Sequence, residues 1–537
     1  MIIEQQIKTI LGSEDALLEI PKLSEHGEFS TNIAMKIAKE QKRNPCMIAQ
    51  EIAGNLDFTG TFIAKAEVAG GGYINFFASD EWYNSILHEV ISAGENWGCN
   101  DSLKGEIICL EYVSANPTGP MHIGNARGGA LGDSLARIMK ICGAEVVKEF
   151  YLNDAGNQVE KLRLSLEARF KQLQGEDVEF REEWYQGMDI IDHAQHWLDS
   201  GHDTLEGIMP YAVEKNTADM ERILKAYNIQ YDVWFRESHL YNNQSVERTI
   251  AALRDNGQVY EKNGAVWLKT DDESKDEVLI RANGIPTYFA ADIAYHYNKL
   301  MERNFTKAIN VWGADHSGHI PRMKAAMKSL GIDPSRLEVI TIQLVRLMRD
   351  GQVARMSKRK GDTISLGDLI EEIGPDSARF FFNMRNSRSS FDFDLDLAVK
   401  QSNENPVFYV QYAHARICSI LEQANIMPDK ISEIACSDKY HYNSSQERAL
   451  IKRIAVFPRE IITAAQMREP SGITSYVRNL ASDFHAFYNV CRVNIEDETI
   501  RFARLILIQA VRQTIRNSLN ILGVSAPDKM ASLESLN

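Results

Sequence analysis

Apolar residues recur three and four apart in "NIAMKIAKEQ" and "MIAQEIAGNL", which predicts two amphipathic helices near the start of the chain. They alternate with polar ones in "YINFF", directly after Gly70, Gly71 and Gly72, which predicts a strand leaving a glycine turn. From about 105 to 160 the order is apolar run ("IICLEYV"), Gly/Pro loop, helical pattern ("ARGGALGDSLARIMKIC") and second apolar run, the opening of an α/β unit with a parallel sheet. Between about 165 and 275 charged helical patterns and short strands take over, which predicts an insertion. Strand and helix patterns then alternate again through "KAINVWGADHSGHIPRMKAAMKSL" and "LEVITIQLVRLM", so one sheet is expected to be split by the insertion. Beyond about 400 every pattern is helical, from "PVFYVQYAHARICSILEQ" to "IRFARLILIQAVRQTIRNSLNIL", as in a bundle.

A chain of 537 residues is too long for one core. The division expected is an N-terminal α+β domain over 1–100, an α/β domain over 101–400 with the insertion about 165–275, and an all-α bundle over 401–537. No run approaches the roughly 20 apolar residues of a membrane span, and the opening "MIIEQQIKTILGSEDALLEI" lacks the basic-then-apolar order of an export signal. Seven widely spaced cysteines with no Cys-x-x-Cys pair point to a reducing cytoplasm, without disulfides or structural zinc. A net charge of −15 argues against wholesale coating of nucleic acid but leaves room for a local basic groove.

The chemistry concentrates in two places. In "EYVSANPTGPMHIGNARGG" a strand ends in a Gly/Pro loop that opens a helix, where free backbone N–H groups and the helix dipole favour phosphate. Gly119 and Gly124 clear side chains from the approach, and His122 and Asn125 share a face from which to stabilise a phosphate oxyanion. A histidine in this position has equal standing as a helix cap. Downstream, Arg346, Arg349, Arg355, Lys358, Arg359 and Lys360 stand against a single acid, Asp350. Ser357 and Gly361 flank the lysines, so the segment reads as a loop able to bring Lys358 onto a pyrophosphate leaving group.

Together, "PMHIGN" and "RMSKRKG" resemble the two signatures of class I aminoacyl-tRNA synthetases, with Asn125 last in the first and Arg355, a planar fork in place of a point charge, first in the second. "YLNDAGNQ", "PTYFAADIAYH", "WGADHSGHIPRM" and "NPVFYVQYAHARI" extend the resemblance to arginyl-tRNA synthetases over essentially the full length. It implies a Rossmann-like catalytic domain with an extra N-terminal domain and a helical anticodon-binding domain. Positions matching Glu111, Ser114, Asn116, Tyr288, Asp292, Asp315 and His316 would line the arginine site, Asp292 first for the guanidinium, because a planar fork of donors is best met by carboxylate. ATP would meet Gly119, His122, Gly124, Asn125, His319, Met356, Ser357 and Lys358, with Lys360 beside the leaving group. For tRNA, Tyr73 and Asn75 are candidates for an elbow base, and Tyr409, Tyr412 and Arg416 for the anticodon loop, although core packing explains the latter three equally well.

The implied reaction ligates L-arginine to tRNA(Arg) through an adenylate. ATP is a substrate accompanied by Mg²⁺ held on its phosphates, no protein metal site or zinc is expected, and the chain is expected to act as a monomer away from any membrane. The two histidines of "GADHSGH" lack a third conventional metal ligand. Two other readings compete: a catalytically silent tRNA-binding or regulatory relative, which has no need of both intact signatures, and a small-molecule nucleotidyltransferase, which has no use for the terminal units.

Overall fold

The computed structural model describes residues 2–21, 24–270, 276–354, 364–426, 428–437 and 439–530. The chain starts with helix α1 (Ile2–Ile10) and a three-stranded antiparallel sheet of β1 (Phe29–Thr31), β2 (Ile63–Ala69) and β3 (Tyr73–Ala78), with β3 central. The two predicted helices are α2 (Ile33–Gln41) and α3 (Pro45–Gly54). Helix α4 (Asp80–Ala93) then leads to the central sheet.

That sheet begins with β4 (Ile107–Glu111), helix α5 (Ile123–Ile141) and β5 (Glu145–Leu152). Three helices follow, α6 (Asn157–Leu173), α7 (Met188–Asp199) and α8 (Ile208–Ala226), before the chain re-enters the sheet as β6 (Val233–Arg236). The stretch expected as one insertion is therefore two. The second part holds α9 (Ser238–Asn242), α10 (Ser245–Asp255) and an antiparallel sheet of β7 (Val259–Lys262), β8 (Ala265–Leu268) and β9 (Glu277–Ile280). Helix α11 (Tyr288–Tyr297), β10 (Lys307–Gly313), α12 (His319–Ser329) and β11 (Leu337–Ile342) complete the unit. The strand order is β11-β10-β4-β5-β6, all parallel.

Three further strands, β12 (Val345–Arg349), β13 (Gln352–Val353) and β14 (Phe391–Asp394), and helices α13 (Leu366–Ile373), α14 (Pro375–Asn383) and α15 (Leu395–Val399) link to the C-terminal bundle. The bundle is α16 (Pro406–Gln423), α17 (Pro428–Ser437), α18 (Ser445–Ala455), α19 (Phe457–Met467), α20 (Ser471–Val490) and α21 (Glu498–Leu522). Among the described residues no helix is long and apolar enough to cross a membrane.

Two contacts fix how α5 is held. A Cβ on Gly132 would lie 2.2 Å from Tyr112 Cγ, so α5 lies flush on the end of β4 only because that position is bare. Tyr112 is fully buried and has nowhere to go. Gly132→Ala is therefore expected to destabilise the protein by about 2 kcal/mol or more, as overpacked cores do, read from the midpoint of urea unfolding. On the other side of α5, buried Arg379 bonds Asp133 Oδ2 at 2.7 Å and the carbonyls of Leu522 at 2.8 Å and Tyr227 at 3.0 Å. Burial alone would raise the Asp133 carboxyl, but Arg379 and Arg137 outweigh it and hold it below the usual carboxylate range. Thus one guanidinium ties the end of the last bundle helix to the helix that opens with His122.

Candidate active site

The chain leaves β4 through a strained turn. Val113 and Ser114 have φ of +70° and +44°, and Val113 is β-branched, so this backbone needs support to persist. The support is local. The Tyr231 hydroxyl donates to the Tyr112 carbonyl at 2.9 Å, while Ser114 Oγ donates to Glu111 Oε1 at 2.9 Å and accepts the Tyr151 N–H at 3.2 Å.

At the far end of the loop His122 is the N-cap of α5. Its Nδ1 accepts the Gly124 N–H at 3.1 Å, and Asn125 Oδ1 accepts the His122 N–H at 3.0 Å. Each of the two residues expected to face phosphate thus spends one end on closing the helix. The other ends are left as donors, because an accepting Nδ1 places the proton of a neutral ring on Nε2. Although its edge reaches solvent, desolvation by the surrounding loop lowers the His122 pKa, which favours that neutral form. A Cβ on Gly124 would stand 3.0 Å from the imidazole, which explains glycine directly beyond Ile123.

From β4 the chain runs to β5 and β6 on one side and returns to β10 and β11 on the other. The carboxyl ends of β4 and β10 are therefore a topological switch point, where open α/β sheets bind ligands. A cavity of about 250 Å³ lies there, between Glu111 and Ser114 after β4, Tyr151 of β5, Trp312 and Gly313 of β10, and Asp292 and His296 of α11.

The charges around this cavity are sorted by a buried network. After α11 the helix widens into a π-turn over Asn298–Glu302, which sends Lys299 and Arg303 back beneath the sheet. Lys299 Nζ lies 2.6 Å from Glu111 Oε2, and Arg303 bonds Glu149 at 2.6 Å. Burial would raise the Glu149 carboxyl, yet Lys299 and Arg303 hold it below its ordinary value; burial would lower Lys299, yet Glu111 keeps it charged. Lys299 also donates to Asn310 at 3.2 Å, Asn310 to His296 at 2.6 Å, and His296 to the Asp292 carbonyl at 2.7 Å. Burial, then the charge of Lys299, depresses the His296 pKa to about 4, so this ring stays neutral.

Glu111 and Asp292, expected as a pair for the substrate, therefore differ. Glu111 is 6% exposed and already neutralised by Lys299, so it is a poor partner for a second full charge. Asp292 faces the cavity with one oxygen 3.0 Å from His319 Nε2. His319, expected on ATP, is thus turned to the carboxylate. Asp315 and His316 are exposed and line, with Asp292 and His319, an adjoining cavity of about 450 Å³. Tyr288 does not form the cavity wall with Asp292: its hydroxyl accepts the Asn157 N–H at 3.0 Å and its ring lies on Gly156. Asn116 is exposed on the loop outside that wall.

One residue was missed by sequence reasoning. Glu237, directly after β6, is 2% exposed, hydrogen-bonded by Tyr151 and Tyr241, and within electrostatic reach of Asp292. Burial pushes its carboxyl up to about 7, with the Tyr151 hydroxyl opposing and the Asp292 charge adding to the rise. Its signal in the sequence is its position at the carboxyl end of a parallel strand, but a four-residue strand inside a charged stretch hides it.

Arg355, Met356, Ser357, Lys358, Arg359, Lys360 and Gly361 lie outside the described residues. The residues next to that segment meet the first signature: Leu366 N–H donates to the Met121 carbonyl at 2.8 Å, and Ser365 pairs with His122 in a β-bridge. The first two cations of the basic run are paired, Arg346 with Asp392 at 2.7 Å and Arg349 with Glu372 at 2.6 Å. Among the described residues one trio, His414, Cys418 and Asp528, brings metal-ligating atoms together. His414 Nδ1 donates to the Pro527 carbonyl at 3.0 Å and Asp528 accepts from Arg516 at 2.8 Å, so these groups are already engaged.

Of the candidate tRNA contacts, Tyr73 is 37% exposed, but Asn75 is 4% exposed and accepts the Ser30 hydroxyl at 2.7 Å, so it is a strut inside the small sheet. Tyr409 and Tyr412 pack on His485, and Arg416 lies 4.6 Å over Tyr488; all three are half-buried, serving packing and surface together.

The chain matches three sequence families: "Arginyl tRNA synthetase N terminal domain" over residues 1–78, "tRNA synthetases class I (R), catalytic domain" over 87–390, and "DALR anticodon binding domain" over 410–530. It is 48% identical over 530 residues to the arginine--tRNA ligase of Acetivibrio thermocellus, covering 96% of this chain and 94% of that one. To the arginine--tRNA ligase of Caldanaerobacter subterraneus subsp. tengcongensis it is 50% identical over 528 residues, with the same coverage. Its fold is shared with the Thermus thermophilus arginyl-tRNA synthetase, at a TM-score of 0.75 and 22% identity over 99% of this chain and 100% of that one. On the strength of a catalytic-domain match across more than half its length and near-full-length relatives, the chain belongs to the arginyl-tRNA synthetase family of class I.

Proposed function

We propose that the cavity between β4, β10 and α11 takes the arginine side chain, with its guanidinium on Asp292 and Glu237 contributing field from behind. The observation that carries this is the sorting of charge. Lys299 and Arg303 neutralise Glu111 and Glu149, so the negative charge left to a ligand is that of Asp292, with Glu237 close behind. A cation with a planar fork of donors suits it better than an ammonium.

ATP lies along the loop from Gly119 to Asn125. The arginine carboxylate attacks the α-phosphorus, the bond to the β-phosphate oxygen breaks, and pyrophosphate leaves with its charge. The terminal ribose hydroxyl of tRNA(Arg), at the 2′ position, then attacks the adenylate carbonyl, releasing AMP. The chain supplies no nucleophile. His122 Nε2–H and the Asn125 amide donate to the phosphate oxygens, and Lys358 with Lys360 meets the departing pyrophosphate. Positioning and preorganised donors together account for roughly 7 kcal/mol or more of barrier lowering in such sites. Mg²⁺ arrives on the phosphates and water.

In this reading residues 1–100 meet the tRNA elbow through Tyr73, 101–400 perform catalysis, and 401–537 read the anticodon loop with Tyr409, Tyr412 and Arg416. The protein works as a cytoplasmic monomer. The test is exchange of labelled pyrophosphate into ATP with each amino acid in turn, with and without total tRNA. Exchange with arginine alone is expected; exchange with lysine, glutamate or glutamine instead overturns the substrate, and none at all overturns catalysis.

A further inference from the structure

We infer that Asn216, which belongs to the helical insertion, is a positioning residue for the nucleotide-binding loop, and that His193 orients it. The inference rests on the reading of that loop as the phosphate site.

Asn216 is 7% exposed. Its Nδ2 donates to the Pro117 carbonyl at 2.9 Å, and its Oδ1 lies 2.7 Å from His193 Nε2. A carbonyl can only accept, so the orientation of the amide is fixed and His193 must supply the Nε2 proton. The pair spans two elements of the insertion, α7 and α8, and ends on the loop between β4 and α5.

The place of Asn216 along α8 is informative. Ala212 and Val213 belong to a separate core that the insertion builds with Phe170 and Trp197. Met220 and Leu224, one and two turns further on, belong to the main core under the sheet. Asn216 thus sits where the helix passes from one core to the other, and it spends that position on the loop. Between Ala115 and Met121, which pack on the main core, the loop runs along an open cleft. Gly119 and Pro120 stand on one wall of this cleft of about 670 Å³ against α7, α8 and α13, while Met121 at the end of the loop is buried in the main core. The loop also starts from the strained pair Val113 and Ser114. Midway it is held by Asn216 on the Pro117 carbonyl, and at its end by Leu366 on the Met121 carbonyl together with the buried Met121 side chain. Without the Asn216 donor, a buried carbonyl loses its partner and the loop can relax away from the geometry in which donors and α-phosphorus align.

The test uses the full chain with total tRNA present. Pyrophosphate exchange is measured per active site, counted by the adenylate formed in a single turnover, alongside the arginine dissociation constant and Tm. Asn216→Ala is expected to lower kcat about tenfold and raise KM for ATP, with arginine affinity within twofold and Tm within a few degrees. Asn216→Asp keeps the contact with His193 but turns an acceptor on the Pro117 carbonyl, and is expected to lose at least as much. His193→Ala, which leaves the amide in place but unoriented, should lose about threefold, and serves if the first variants fail to fold. A wild-type rate per titrated site in these variants overturns the inference, as does a loss explained wholly by fewer sites. If His122→Ala loses activity while the Asn216 variants keep it, this inference alone fails; if all keep it, the phosphate reading of the loop fails too.

Discussion

Asp292→Asn is expected to raise KM for arginine in pyrophosphate exchange about a hundredfold, about 2.7 kcal/mol, with kcat changed far less and the unfolding midpoint unmoved. The size follows from the sorting of charge around the cavity. Glu111 is a poor substitute, because releasing it from Lys299 at 2.6 Å would take a fully buried ammonium off its nearest carboxylate and leave it Glu149 at 3.9 Å, already shared with Arg303. The amide keeps the shape and one acceptor, so binding loses charge and not fit. The same field has a pH signature. Glu237 titrates at about 7, and a guanidinium favours its ionised form. Arginine should therefore bind more tightly as pH rises through 7 and release about half a proton at pH 7, the ligand favouring the form it stabilises. Glu237→Gln should flatten that slope. Binding independent of pH between 6 and 8 in the wild type would show that Glu237 does not sense the substrate.

His122→Ala is expected to lower kcat of exchange by about 100- to 1,000-fold, the usual cost of one preorganised oxyanion donor. Because His122 also caps α5, that variant alone mixes catalysis with stability. His122→Asn separates them: asparagine is among the best N-caps, so stability is kept, but its amide does not reach where Nε2–H stood. A low kcat with wild-type Tm is the expected result. Recovery of kcat along with Tm would make the histidine a cap and nothing more. With the pKa already lowered by desolvation, raising pH from 7 to 8 should not reduce kcat through this ring.

What could be read from the sequence follows from what sequence periodicity encodes. The order strand, Gly/Pro loop, helix at Ile107–Ile141 was legible because apolar runs and loop residues are local signals. The bundle was legible for the same reason. The return to the sheet at Val233–Arg236 was not, because four residues carry too little pattern against charged neighbours. Alternation correctly put Tyr73 and Asn75 on one face of β3, but not what covers that face, and Ser30 turns out to cover Asn75. Lys299 and Arg303 were invisible as partners of Glu111 and Glu149 because a π-turn, absent from any 3.6-residue template, aims them. The place of Asp292 beside the cavity followed from its motif, whereas Glu237 belongs to no motif and stands out only through its burial within reach of another acid's charge.

The Arg379 clasp bears on how this protein tolerates being taken apart. Its guanidinium holds carbonyls from the last bundle helix and from the end of α8 together with the Asp133 carboxylate of α5, all without solvent. Removing the last turn of α21, Leu522 included, would leave that cation and its carboxylate facing an opening where a helix terminus had closed the site. The bundle is thus no detachable appendage: a seam ahead of α14 keeps Arg379 with Leu522 but parts both from Asp133 and Tyr227, so a transplant between relatives has to match those two positions as well.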